Sequence, residues 1–153
     1  MKEKILFDAN EIDQLYVDEK FFIKLSHYYS FHICPSIIEE IIKIPDEEKR
    51  VKYILLLFKY GFTYCPDGCF ILGKTRLGYC ILDDGKTYNN IIKSTRSNMS
   101  DSIIANTAVR NNMILFTEDT ELKKKLLTQY KNVVNLCDLK QLLEEKNTKD
   151  ENK

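Results

Sequence analysis

Short apolar runs alternate with longer amphipathic segments along this chain. The runs are too short for helices and rich in residues that favour strands, so each predicts a buried β-strand. The segments between them have apolar residues at three- and four-residue spacing, which is typical of amphipathic helices. The predicted strands cover residues 4–7, 31–34, 62–65, 113–116 and 133–136.

The helical segments begin and end at recognisable signals. Ser36 and Glu39 have the spacing of a capping box, and Gly61 is a stop signal for the helix before it. The apolar positions of that helix are Val51, Ile54, Leu55 and Phe58. The predicted helices cover residues 9–29 with a break near 17–18, a segment opening at 35–36, and residues 45–60, 100–111, 119–130 and 138–145.

This alternation predicts an α/β fold in one domain, residues 1–145, with a mainly parallel sheet covered on both faces. Residues 66–98 hold four of the five glycines and several strand-like fragments, so we expect a small hairpin insertion there, with Lys74 and Arg76 near its tip. Residues 146–153 are all polar and are predicted to form a frayed tail.

Composition restricts the location and the partners of the protein. The 23 basic and 23 acidic residues cancel, which argues against a broadly basic surface for nucleic acid and requires any such contact to be local or metal-mediated. The N-terminus lacks a signal-peptide core, and the longest apolar run, at 53–58, is far too short to span a membrane. Five cysteines without a secretory signal favour reduced thiols in the cytoplasm.

Four acidic residues from distant parts of the chain are expected to converge. Asp8 ends the first strand and Asp119 follows the strand at 113–116, which places both at the carboxyl edge of a parallel sheet. Asp101 begins the helix before that second strand, and Glu40 lies on the helix after the strand at 31–34. Singly, each acid has an ordinary explanation as a helix cap, a first-turn acid or a solvated charge.

Clustered carboxylates repel one another, and a divalent cation relieves that repulsion. Ligands that are all oxygen favour Mg²⁺ or Mn²⁺ over zinc. Ions held in this way suit phosphodiester hydrolysis, because one can activate the attacking water and a second can stabilise the leaving oxygen.

The sequence resembles the PIN-domain family of metal-dependent ribonucleases. The resemblance lies in four ordered blocks, ILFDAN at 5–10, CPSIIEEII at 34–42, SDSIIANTA at 100–108 and ILFTEDTEL at 114–122. It implies an α/β/α sandwich in which Asp8, Glu40, Asp101 and Asp119 hold Mg²⁺ or Mn²⁺, with Asn10 and Thr117 as supporting polar residues.

The resemblance also implies an activity and partners. We expect a metal-dependent endoribonuclease acting on RNA, with a homodimer as a further expectation. Many small members are toxins of toxin–antitoxin pairs, of the VapC type, so an antitoxin protein is a candidate partner. The strand-like character of residues 66–98 and the length of the chain depart from the small toxins. The alternative is a non-catalytic PIN-like module that binds RNA or protein.

Other motifs are weaker. A dehalogenase-like phosphatase needs two acids around Ala9, and a receiver domain needs an acidic pair beside Asp8; neither is present. Cys65 and Cys69 have a spacing that does not match a zinc ribbon or a redox motif. The nine Tyr and eight Phe are spread along the chain and indicate core rather than a stacking platform. Candidate phosphate contacts are Lys74, Arg76, Lys93, Arg96 and residues 123–125, and Glu121 is a further candidate acid.

Overall fold

The computed structural model describes residues 2–82, residue 89 and residues 99–151. Five strands form one sheet in the order β3-β2-β1-β4-β5, and every neighbouring pair is parallel. The strands are β1 (Glu3–Phe7), β2 (Tyr29–Ile33), β3 (Thr63–Tyr64), β4 (Ile114–Phe116) and β5 (Val133–Val134).

Helices connect these strands and complete a three-layer α/β/α sandwich, so the predicted fold class is confirmed. A 3-10 helix (Ala9–Asp13) follows β1. The α-helices are α1 (Gln14–Val17), α2 (Glu19–Tyr28), α3 (Pro35–Ile42), α4 (Glu47–Lys59), α5 (Met99–Arg110), α6 (Thr120–Leu126) and α7 (Leu136–Glu151). No helix in the described part of the chain is long and apolar enough to cross a bilayer.

The core is built around the central strand β1. The ring of Phe7 is fully buried, and its centroid lies 4.9 to 6.0 Å from four other rings, those of Phe22, Phe31, Phe62 and Phe116. Complete burial of such a side chain contributes about 1.5–3 kcal/mol. Because Phe7 and Phe116 are also register partners in the sheet, this packing aligns the residues that follow them, Asp8 and Thr117.

Helix α5 is buried around its whole circumference. Every residue from Ser102 to Ala108 is inaccessible to solvent or nearly so, although several are polar. Gly68 packs directly on this helix, and its backbone N–H donates to the Thr107 hydroxyl at 2.9 Å. A side chain at position 68 would collide with the α5 backbone, which explains the glycine.

Helix α4 has its predicted bounds to within two residues, but part of its apolar surface faces solvent. The exposed positions are those singled out by their helical spacing, Val51, Ile54, Leu55 and Phe58. Tyr53 and Leu56 are the residues that α4 buries. The helix ends at Lys59, and Gly61, the predicted stop signal, lies two residues beyond it with a positive φ of 61° that suits glycine.

The predicted capping box at the start of α3 is wrong. The helix begins at Pro35, so Ser36 lies in its first turn. The backbone N–H and the hydroxyl of Ser36 donate to the carboxylate of Asp67 at 3.2 and 3.0 Å, and Glu39 instead lies near Lys43 and Arg76. Asp67 comes from a distant loop, so the local spacing could not reveal this cap.

Residues 66–82 differ from the predicted hairpin. They form a series of turns in which a single bridge joins Asp67 to Cys80, and the bridge is parallel rather than antiparallel. Gly73 and Gly78 have positive φ, and the chain turns at both. A hairpin would instead have one tight turn between two antiparallel strands. Lys93 and Arg96 lie outside the described residues, together with most of 83–98.

Helix α7 continues to Glu151, through most of the segment that was predicted to fray. Lys146 forms an ion pair of 2.9 Å with Glu3, and the hydroxyl of Tyr28 donates to Asn147 at 3.1 Å. These contacts dock the end of the helix on other elements. An all-polar segment can therefore be a helix whose polar side chains find partners across the fold.

Candidate active site

Asp8 is held at the carboxyl end of β1 by three hydrogen bonds. Its backbone N–H donates to the Phe116 carbonyl at 3.0 Å. Its Oδ1 accepts from the Ala9 N–H at 2.7 Å, and its Oδ2 accepts from the Thr117 hydroxyl at 3.0 Å. The carboxylate is buried, and this burial raises its pKa despite the two bonds that stabilise the charged form; the charge of Asp119 adds to the rise.

Thr117 connects Asp8 to Asp119. Its buried hydroxyl donates to Asp8 and accepts from the Asp119 N–H at 3.2 Å. Asp119 is exposed and caps α6, because its Oδ1 accepts from the backbone N–H groups of Glu121 and Leu122 at 2.8 and 2.9 Å. The ordinary explanation of Asp119 as an N-cap is therefore correct, and the residue still lies beside Asp8.

Glu40 and Asp101 line a cleft of about 390 Å³, which we call the acidic cleft. Glu40 is partly buried on α3 and accepts a hydrogen bond from the hydroxyl of Ser100. Burial raises the pKa of Glu40, and the charges of Asp8 and Asp101 raise it further, against the opposing influence of Ser100 and Lys43. The other lining residues are Asn10, Ser36, Glu39, Lys43, Lys74, Ser100 and Ile103.

The four predicted acids thus influence one another at one edge of the sheet. Asp8 is coupled by charge to both Asp119 and Glu40, and Glu40 is coupled to Asp101. They do not form a closed site, since no three His, Cys, Asp or Glu side chains in residues 2–82, 89 and 99–151 are placed to hold a metal ion. The oxygen donors and their mutual repulsion suit a divalent cation, whereas their spacing does not enclose one.

Glu11 is a fifth acid of this region, and it was not singled out from the sequence. Only 4% of the residue is exposed, and its carboxylate accepts from the Glu118 N–H at 3.0 Å. Burial raises the pKa of Glu11 to about 7, and the charges of Asp8 and Glu118 contribute. The sequence did contain one signal for this residue, because Glu11 lies one 3-10 turn after Asp8 at the end of the first strand.

Glu11 also braces the loop that carries Thr117 and Asp119. Its bond to Glu118 ties the 3-10 helix after β1 to the residue between those two. Glu118 in turn accepts from the Leu136 N–H at 2.6 Å, at the start of α7. A chain of carboxylate–backbone bonds therefore links the loops after β1, β4 and β5.

Several other candidates make structural contacts instead. Lys123 pairs with Asp138, and Lys125 lies 3.7 Å from Glu121, so two of the lysines at 123–125 are engaged with acids. Cys65 is buried, which raises the pKa of its thiol to about 12 and makes it a poor metal ligand. No disulfide forms among the five cysteines, all of which lie in the described part of the chain.

Comparison with known proteins supports the fold and no more. No protein-family model matches the chain, and no curated protein matches it. Among solved structures, the chain is similar to PAE2754 from Pyrobaculum aerophilum, known from a crystal structure. The TM-score is 0.54 at 14% sequence identity, with 95% of this chain and 97% of the other covered.

Proposed function

We propose that this chain is a metal-dependent endoribonuclease that hydrolyses RNA phosphodiester bonds, as its resemblance to the PIN-domain family implies. The observation that carries the proposal is the charge coupling of Asp8 with Asp119 and Glu40, and of Glu40 with Asp101. The four carboxylates come from four separate segments, and their charges act on one another near the edge where a parallel sheet binds its ligands. Burial and neighbouring acids raise the pKa of Asp8 and of Glu40, and carboxylates perturbed in this way are a recognised mark of functional sites.

Mg²⁺ or Mn²⁺ is the proposed cofactor, and Asp8, Glu40, Asp101 and Asp119 are its proposed ligands. When bound, such an ion supplies an acidic water for attack and positive charge for the leaving oxygen. Thr117 orients Asp8 through its hydroxyl, and Asn10 is exposed at the mouth of the acidic cleft. Lys43 and Lys74 line the same cleft, where they attract the phosphates of an approaching RNA.

A second candidate is a non-catalytic PIN-like module that binds RNA or a protein. The spacing of the acids favours it, since none of the described His, Cys, Asp or Glu side chains form a group ready to hold a metal ion. The two functions differ in what a cation does: the nuclease binds Mn²⁺ and requires it, whereas the module binds RNA without it.

The experiment is an RNA-cleavage assay in Mn²⁺ or Mg²⁺ with matched variants. Glu40→Gln and Asp101→Asn should each lower the rate by more than about tenfold, because even the outer-shell partners of a metal are worth about 10–100-fold in affinity or activity. Glu144→Gln, on the exposed surface of α7, should leave the rate unchanged. Calorimetry should detect Mn²⁺ binding that Asp101→Asn weakens. RNA binding without cleavage or Mn²⁺ binding would favour the module instead.

The biological setting is part of the same proposal. A role as the toxin of a toxin–antitoxin pair requires a protein antitoxin, and a cytoplasmic location is consistent with cysteines that form no disulfide. Induced expression in bacteria should arrest growth, and Asp101→Asn should abolish the arrest. An adjacent small gene for a DNA-binding protein would identify the antitoxin. Light scattering of the purified chain tests the proposed homodimer.

A further inference from the structure

A second cleft adjoins the acidic cleft on the other side of Glu39, a residue that lines both. It has a volume of about 220 Å³ and lies between α3 and the turns of residues 66–82. Ile38 and Ile42 of α3 contribute an apolar wall, and Tyr64 and Tyr79 contribute aromatic rings. We call it the tyrosine cleft.

The two tyrosines are in contact with each other and open to solvent. Their ring centroids are 6.5 Å apart, and the ring planes are nearly perpendicular at 85°. Tyr64 is 47% exposed at the end of the edge strand β3, and Tyr79 is 54% exposed. An edge-to-face contact of this kind is favourable, and the exposed part of each ring remains open to a flat ligand.

Two cations accompany the tyrosines. Arg76 lines the tyrosine cleft, and its Nε lies 3.7 Å from the carboxylate of Glu39. Lys74, two residues away, lines the acidic cleft. Both side chains are exposed. The Nε of Arg76 faces Glu39, but a guanidinium has five N–H donors, so the others can still reach a phosphate. Aromatic faces beside cations are the combination that single-stranded nucleic acids recognise.

We propose that the tyrosine cleft binds an unpaired nucleobase of single-stranded RNA whose backbone continues into the acidic cleft. The base stacks on an exposed tyrosine ring, while Arg76 and Lys74 contact the flanking phosphates. Bases within a duplex are stacked on their neighbours and leave no free face, so the cleft selects single strands. The inference rests on the proposed function for the identity of the ligand.

The experiment measures binding of a 5′-fluorescein, mixed-sequence RNA 12-mer by anisotropy, in EDTA so that metal-dependent cleavage does not interfere. Tyr64→Ala and Tyr79→Ala should each raise Kd about tenfold, the size expected from loss of one stacked base. Tyr79→Phe, which keeps the ring, should stay within about twofold. Tyr16→Ala is the matched control, because Tyr16 is also exposed but lies on α1.

An abasic 12-mer separates stacking from charge. Wild type and Tyr79→Ala should bind it equally, because no base remains to stack. Tyr79→Leu keeps apolar bulk without the ring and should bind intact RNA as weakly as Tyr79→Ala. It shows that weak binding by the alanine variant comes from loss of the ring and not from unfolding. Melting curves test whether both variants are folded. Unchanged binding in Tyr79→Ala, equal losses with intact and abasic RNA, or no RNA binding by the wild type would overturn the proposal.

The cleavage assay then distinguishes this proposal from the nuclease itself. Tyrosine-dependent binding without any cleavage would support the subsite and reject the nuclease. Cleavage that requires Asp101, combined with binding indifferent to Tyr64 and Tyr79, would support the nuclease and overturn the subsite.

Discussion

Replacing the buried Glu11 by glutamine should stabilise the protein at pH 8 and have little effect at pH 5. The glutamine side chain keeps an oxygen that can accept the hydrogen bond from the Glu118 N–H, so the brace on that loop is preserved. The substitution removes only the negative charge, which is unfavourable in a side chain that is almost entirely buried near Asp8.

The magnitude follows from the pKa of Glu11, about 7 in the folded chain against an ordinary value of 4.5. Because the folded-state pKa is raised, the folded protein holds the proton more tightly than the unfolded chain. Stability therefore falls as the pH rises from 4.5 to about 7, and the loss is complete above that. At 1.36 kcal/mol per pKa unit, the full loss is about 3 kcal/mol, of which less than about 1 kcal/mol has occurred at pH 5.

The assay is urea unfolding, followed by circular dichroism in EDTA at pH 5, 6.5 and 8. The free energy of unfolding of Glu11→Gln, minus that of wild type, should grow by about 2 kcal/mol between pH 5 and pH 8. Glu144→Gln on the exposed surface of α7 should track the wild type at each pH. A difference that is the same at pH 5 and pH 8 would refute the placement of Glu11 in a buried, acidic environment.

Five further substitutions, two of them controls, test individual contacts of the fold through the free energy of unfolding. Thr117→Val leaves buried Asp8 without its hydroxyl donor and should cost about 1–3 kcal/mol, whereas Thr117→Ser should retain most of the stability. Gly68→Ala would place a Cβ 2.7 Å from the α5 backbone and should cost about 1–3 kcal/mol. Leu56→Ala should cost about 2–5 kcal/mol because Leu56 is buried. Leu55 is 63% exposed on the same helix, so Leu55→Ala should change stability by less than about 1 kcal/mol. Equal losses would contradict the orientation of α4.

The predicted strands and most helices were found because their signals are local. A buried parallel strand is a short apolar run, and the core residues of β1 and β4 are all contained in such runs. Helical spacing likewise found α4. It could not tell which apolar residues face the core, because Val51 and Leu55 are as apolar as the buried Leu56.

The features that were missed depend on contacts between distant segments. The cap of α3 is Asp67, and the end of α7 is held by Glu3 and Tyr28. The exposed pair of Tyr64 and Tyr79 is likewise brought together by the chain path of residues 66–82. The spread of Tyr and Phe along the chain indicated core rather than a stacking platform, because sequence position does not record which rings meet at the surface.

The position of the candidate site was better predicted than its geometry. Parallel strands end at one edge, so Asp8 after β1 and Thr117 after β4 had to become neighbours once these strands paired. No comparable rule predicts the contacts of individual side chains from the sequence. The link from Thr117 to both aspartates and the burial of Glu11 depend on rotamers and loop paths that the spacing of residues does not determine.

The capping and metal-binding interpretations of the strand-end aspartates are compatible with each other. Asp119 uses Oδ1 for both bonds to α6, and the two oxygens of Asp8 each accept one bond, whereas a carboxylate has about four acceptor positions. Helix caps therefore orient these carboxylates without saturating them. The same arrangement concentrates negative charge in a protein of zero formal net charge. Under the proposed function, a bound divalent cation neutralises that concentration and leaves the lysines of the acidic cleft to attract phosphate.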